Sequence, residues 1–272
     1  MNSSAETSIY VDVHTHLTHP QFDLDRLEVI SRCQQAGLGA IVVNGTDPVS
    51  NRQVLDLSVK HPIVKAALGI YPIEAVNHLL PSDFHLSITP FSVDQEIAFI
   101  KEQAQQKTII AIGECGLDAY HVGEDTFAEQ ERVFLALLQI AYDYDIPVIV
   151  HSRKREQRTI EIMEHHGQKR VNMHCFGGKT KLAITTAEKY GWCYSIPSNL
   201  ARSSSFQSMV KSLPDECMLT ETDSPYLALQ PQTRCEPAHV VHTVTTMAQL
   251  KNRSIEDMKS TIWQNYLRLF FS

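Results

Sequence analysis

The chain has 272 residues, with 24 Lys+Arg against 31 Asp+Glu, 13 His, 6 Cys, 43% apolar and 20% charged residues. That length holds one α/β barrel or two small domains with a sizeable core, and the composition excludes a disordered, collagenous or disulfide-stapled chain. A formal charge of −7 argues against a broad basic face that grips duplex DNA, although a metal site would add local positive charge that this count omits.

The opening MNSSAETSIY carries no Lys or Arg and reads as no secretory signal. No apolar run approaches the ~20 residues that span a bilayer. The cysteines (Cys33, Cys115, Cys175, Cys193, Cys217, Cys235) form no CxxC pair and read as reduced thiols. The expected setting is therefore cytoplasmic and away from membranes, with a monomer as the expected state.

In chain order, eight short runs read as strands: SIYVDVH, GAIVVNG, VKAALGI, TIIAIGE, PVIVH, RVNMH, GWCYSI and CMLTETD. Between them lie amphipathic stretches such as FDLDRLEVISRCQQ, FSVDQEIAFIKEQAQ, TFAEQERVFLALLQIAYDY and TKLAITTAEKY, with apolar residues every three or four positions. Strand onsets recur at roughly 30 residues, the length of one βα unit. This predicts a single (β/α)8 barrel domain over 1–272, with an open doubly wound sheet as the alternative. The stretch from Asn77 to Pro90 reads as a capping loop, punctuated by Pro81 and Pro90. Two helices follow the last strand, and Ser254 with Asp257 resembles a capping box that opens the final one.

The strand ends carry the chemistry. In VDVHTH, His14 and His16 are two apart and face the same way, so both imidazoles can reach one ion. Glu114 closes TIIAIGE, His151 closes PVIVH, His174 closes RVNMH and Asp223 closes CMLTETD. A barrel collects its functional side chains at the C-terminal rim, so all six converge on one mouth. Four imidazoles and two carboxylates suit two divalent ions, Zn²⁺, Mn²⁺ or Mg²⁺, with Glu114 as the natural bridge. Such ions support hydrolysis by a metal-activated water, and Asp223 is placed both to hold metal and to accept the water's proton. No GxSxG, P-loop or GxGxxG motif offers another chemistry. The SRKRE segment after His151 places Arg153, Lys154 and Arg155 at the start of the next helix, with Arg153 able to fork onto a phosphate. The other nine histidines, among them His19, His85 and His121, read as surface or helix residues. Cys115 and Cys175 alternate away from the barrel axis and read as packing residues.

Assembled in order, these residues resemble the TatD-type metal-dependent hydrolases of the amidohydrolase-like barrel group. The resemblance rests on His14 and His16 with the LTHPQFDLD run, GECGLDAY around Glu114, PVIVHSR with His151, MHCFGG with His174, TETDSPYL with Asp223, RCEPAHV and the terminal NYLRLF. It implies a barrel, a divalent-metal site and hydrolysis of DNA phosphodiester bonds, commonly from a strand end. Three positions depart from the family pattern. The GxHP stretch is GIYP, which puts Tyr71 at the substrate side where a histidine is usual; Cys235 replaces the Asn of RNEP, and Thr18 an acid after the HxH motif. The expected function is a metal-dependent deoxyribonuclease acting on single-stranded or frayed DNA ends. The alternatives are hydrolysis of a small phosphoester, amide or lactone, and a metal-stabilised binding scaffold without turnover.

Overall fold

Each of the eight β-branched runs forms a strand in the computed structural model, which describes residues 9–81, 83–86 and 88–272. Ser8 in the first expected strand, and Ser82 and Ser87 in the expected loop, lie outside the described residues. The strands are β1 (Tyr10–Thr15), β2 (Leu38–Asn44), β3 (Val64–Leu68), β4 (Ala111–Asp118), β5 (Val148–Arg153), β6 (Val171–Met173), β7 (Cys193–Ile196) and β8 (Met218–Thr220). They pair in parallel and in chain order from β1 to β8. An α-helix follows every strand: α1 (Arg26–Gln35), α2 (Pro48–Lys60), α3 (Val93–Gln105), α4 (Phe127–Tyr144), α5 (Glu156–His166), α6 (Thr180–Tyr190), α7 (Ser204–Ser212) and α8 (Val240–Leu250). This is a (β/α)8 barrel. The unbroken strand order excludes the doubly wound sheet, whose order reverses at a switch point.

The strands form because Val, Ile and Ala fill both faces, as parallel strands covered by helices require. Val11, Val13, Ile41, Val43, Ile149 and Val150 are all fully buried. The seam between β8 and β1 is closed beyond their ends: His16 N–H donates to Ser224 O at 2.8 Å and Asp223 N–H to His14 O at 2.9 Å. Thr220 Oγ1 donates to Val11 O at 2.7 Å, and the fully buried Asp12 accepts Thr222 Oγ1 at 2.5 Å. A last helix, α9 (Ile255–Phe271), packs against both seam strands and buries Ile262, Tyr266 and Leu269. Ser254 Oγ accepts the Asp257 N–H at 3.0 Å at its start, which is the Ser254 half of the expected capping box. Among the described residues no helix is long and apolar enough to cross a membrane.

Three expectations shift. β4 runs four residues beyond Glu114, past Gly116, where the strands approach closely: at φ 144° a Cβ there would lie 1.9 Å from His151 O. The Asn77–Pro90 loop begins inside a 3-10 helix, Glu74–Leu79. The third is the basic cluster. Arg153 ends β5, and α5 starts only at Glu156.

Candidate metal centre

The six strand-end residues meet at the C-terminal mouth. His14 is fully buried at the end of β1, where alternation puts it on the face of Asp12, whose Oδ1 accepts the His14 N–H at 3.1 Å. Asp223 lies three residues past β8 in the left-handed region, φ 53°, a conformation Asp tolerates better than most residues. Glu114 sits between two donor groups. Its Oε2 is 3.5 Å from His14 Nε2 and 3.4 Å from His16 Nε2. Its Oε1 is 2.9 Å from His151 Nδ1 and 3.4 Å from His174 Nε2. Asp223 Oδ1 completes the first group at 3.6 Å from His14 Nε2 and 3.4 Å from His16 Nε2, which are themselves 3.2 Å apart.

These spacings fit a cation. Ligands bonded tetrahedrally at 2.0–2.1 Å stand about 3.4 Å from one another, the separation seen in the first group. The donor atoms fall into groups that include His14, His16 and Glu114 on one side and Glu114, His151 and His174 on the other. The donor set is imidazole nitrogen and carboxylate oxygen, without a thiol.

Electrostatics agree with the geometry. Burial would raise the Glu114 carboxyl, but His14, His151 and His174 around it hold it well below the ordinary range. Burial is likewise outweighed at Asp223, where the hydrogen bond to His16 and the charge of the nearby histidines keep the carboxyl low. Burial and the neighbouring His174 push His14 down to about 4. At His16, His151 and His174 burial acts the same way, yet the facing carboxylates prevail and raise all three. In the metal-free protein the site therefore holds protons where a cation's charge would otherwise sit.

An outer ring orients the imidazoles, and it was missed in the sequence. His151 Nε2 lies 3.1 Å from Asp118 Oδ2, and His174 Nδ1 lies 3.2 Å from Glu221 Oε2. His16 Nδ1 lies 3.1 Å from Asn44 O. Such partners fix which ring nitrogen stays free to bind. Asp118 lies on β4 with Glu114, four residues on, whereas Glu221 and Asp223 lie beyond β8, where no strand alternation relates them.

The mouth opens into a cleft of about 740 Å³. Tyr71 lines it, its ring edge-on to His151 with centroids 4.9 Å apart. Arg153 also lines it, its guanidinium 3.7 Å over the Tyr120 ring. Arg155 instead turns to Glu131 and the Phe127 ring, so it leaves the cleft to Arg153. Two histidines expected to be ordinary surface residues, His19 and His121, line the mouth. Cys115 is buried as expected, its thiol 3.9 Å from Ile149 O, and all six cysteines are free.

A (β/α)8 barrel whose mouth gathers imidazoles around a shared carboxylate is the architecture of a metal-dependent hydrolase. A family model described as TatD related DNase matches residues 11–271, and the chain belongs to this family. It is 32% identical over 265 residues to Deoxyribonuclease TATDN3 of Homo sapiens, covering 96% of this chain and 94% of that protein. It is 29% identical over 270 residues to the 3'-5' ssDNA/RNA exonuclease TatD of Escherichia fergusonii, covering 95% of this chain and 98% of that one. Further relatives are named metal-dependent hydrolases. Among solved structures, the TatD homolog YJJV of Escherichia coli matches with a TM-score of 0.82 at 24% identity, covering 97% of this chain and 98% of the other, and so shares its barrel.

Proposed function

We propose that the protein is a nuclease that hydrolyses phosphodiester bonds at single-stranded or frayed DNA ends, using two divalent ions. Its site forms within one domain spanning 1–272, and it acts as a cytoplasmic monomer. The observation that carries this reading is Glu114, whose two oxygens face two separate donor groups. One ion is assigned to His14, His16, Glu114 and Asp223, the other to Glu114, His151 and His174. When bound, divalent ions acidify a water and neutralise charge developing on a phosphoryl oxygen.

The chain's own residues do the rest. Glu114 holds both donor groups in register, and Asp223, ionised at neutral pH, accepts the proton of the attacking water. Arg153 holds a non-bridging phosphate oxygen from the rim. Tyr71 stays protonated, since burial and the nearby Glu114 raise its hydroxyl, and it donates a hydrogen bond to substrate. The deoxyribonuclease and exonuclease names of the relatives support DNA as substrate and attack from an end.

The test is end-labelled single-stranded DNA and matched duplex, incubated with chelator-stripped protein and then with Mg²⁺, Mn²⁺ or Zn²⁺. The expected result is EDTA-sensitive, stepwise shortening that is faster on single strands. No shortening with any of the three ions would refute the reading. A second reading, hydrolysis of a small phosphoester, amide or lactone, is favoured by the cleft volume, which is that of a small-molecule pocket. Turnover of such esters without DNA shortening would select it.

A further inference from the structure

Two recesses meet at Tyr226. One is the cleft over Glu114. The other is a polar groove of about 430 Å³ bounded by Asn199, Arg202, Gln230, Gln232 and Arg234. Tyr226 lines both and is 50% exposed, so its ring stands on the ridge between them. Its place relative to the candidate centre is fixed: its N–H donates to Asp223 O at 2.8 Å, and its ring meets His19 and His16 edge-on at centroid distances of 5.6 and 6.4 Å.

Charge distinguishes the directions in which a polyanion can leave the cleft. Asp47, with no Lys or Arg ion-pair partner among the described residues, lines another part of its wall beside Glu74, whose carboxyl burial raises to about 7 so that it carries only part of a charge. Phosphates are repelled there. The groove beyond Tyr226 has no carboxylate in its lining. Arg234 is neutralised by Asp25 and Glu236, but Arg202 donates only to Ala228 O at 2.6 Å and has no carboxylate partner among the described residues. In a chain of net charge −7, an acid-free groove with an unspent guanidinium beside the mouth is a selective environment.

We propose that this groove carries the backbone of a single-stranded nucleic acid away from the reacting phosphodiester, with one base stacked on Tyr226 and one phosphate on Arg202. The inference rests on the nuclease reading above. An exposed ring supplies sequence-tolerant stacking, and the Asn199, Gln230 and Gln232 amides hydrogen-bond to sugar and phosphate oxygens without demanding a particular base.

The test uses the full chain and a fluorescent single-stranded octanucleotide whose phosphorothioate linkages resist hydrolysis, with a dinucleotide of the same chemistry. Fluorescence anisotropy gives affinity against salt concentration, and cleavage of the ordinary phosphodiester octanucleotide with Mn²⁺ is followed in parallel. Tyr226→Ala weakens octanucleotide binding about tenfold with an unchanged salt slope, and Tyr226→Phe restores it. Arg202→Gln reduces the slope of log K against log salt by about 0.7, the signature of one single-strand phosphate contact. Neither variant lowers dinucleotide affinity to the same degree. If affinity and slope stay at wild-type values in both variants while cleavage proceeds, the tract is wrong and the nuclease reading stands. If Tyr226→Ala weakens dinucleotide and octanucleotide equally, Tyr226 acts only at the reacting bond, which also overturns the tract. Length-dependent binding that both variants lose, with no cleavage, supports the tract and overturns the nuclease reading instead.

Discussion

Asp118→Asn tests the orientation of His151 at the level of a single proton. Asp118 Oδ1 accepts the Tyr120 and His121 N–H groups at 2.7 and 2.9 Å, while Oδ2 lies 3.1 Å from His151 Nε2. With a carboxylate there, His151 carries its proton on Nε2 and leaves Nδ1, the atom facing Glu114, free to bind a cation. An Asn side chain keeps its oxygen toward the two backbone donors and turns its NH₂ toward Nε2. The imidazole then moves its proton to Nδ1 and loses the binding lone pair. Turning the amide over instead sets its NH₂ against two backbone donors. The first arrangement costs the ligand atom, and the second leaves buried donors unpaired at about 1–3 kcal/mol. That agrees with the 10–100-fold loss, about 1.4–2.7 kcal/mol, typical when the partner of a ligating histidine is removed. Calorimetric titration of chelator-stripped protein with Mn²⁺ reads the affinity, and circular dichroism checks the fold. Binding within twofold of wild type, with the fold intact, would refute the assignment of His151 Nδ1.

Gly116→Ala is expected to lose more than about 4 kcal/mol and fail to accumulate as folded protein, since its Cβ would sit 1.9 Å from His151 O at φ 144°. Gly167→Ala, also at positive φ but with nothing within 4 Å, should cost only about 1–2 kcal/mol; similar thermal melts for the two would contradict the packing argument. Metal uptake at pH 7 should release protons, because His16, His151 and His174 are raised above 6.5 in the metal-free site. Those raised histidines contribute stability that is full below pH 6.5 and lost as pH rises through their folded values, so chelated protein weakens in that direction while metal affinity grows. Calorimetry in buffers of different ionisation enthalpy counts the protons, and a count of zero would argue against cation binding at these residues.

The barrel was legible because its strands are nearly continuous Val, Ile and Ala runs at a regular spacing, a pattern read from local composition alone. His14, His16, Glu114, His151, His174 and Asp223 were legible for a related reason: a charged or imidazole side chain at the end of such a run has no apolar role there. Asp118 and Glu221 were not, because nothing local separates an acid that binds from one that steadies a binder. That distinction exists only across strands, where Asp118 of β4 meets His151 of β5. Arg153 and Arg155 look alike in sequence, and only the position of Glu131 on α4 decides which one remains at the mouth.

The seam between β1 and β8 has a consequence for assembly of the chain. Val11 and Thr220, which hydrogen-bond across it, are 209 residues apart. His14 and Asp223 stand on either side of the same join, so the first donor group is incomplete until the last strand has come round to the first. Any ion held there works as a clasp on the finished ring, and its binding free energy is also free energy of closure. Truncation before β8 therefore removes the centre as surely as deleting a ligand, although the cut lies far in sequence from the first histidine.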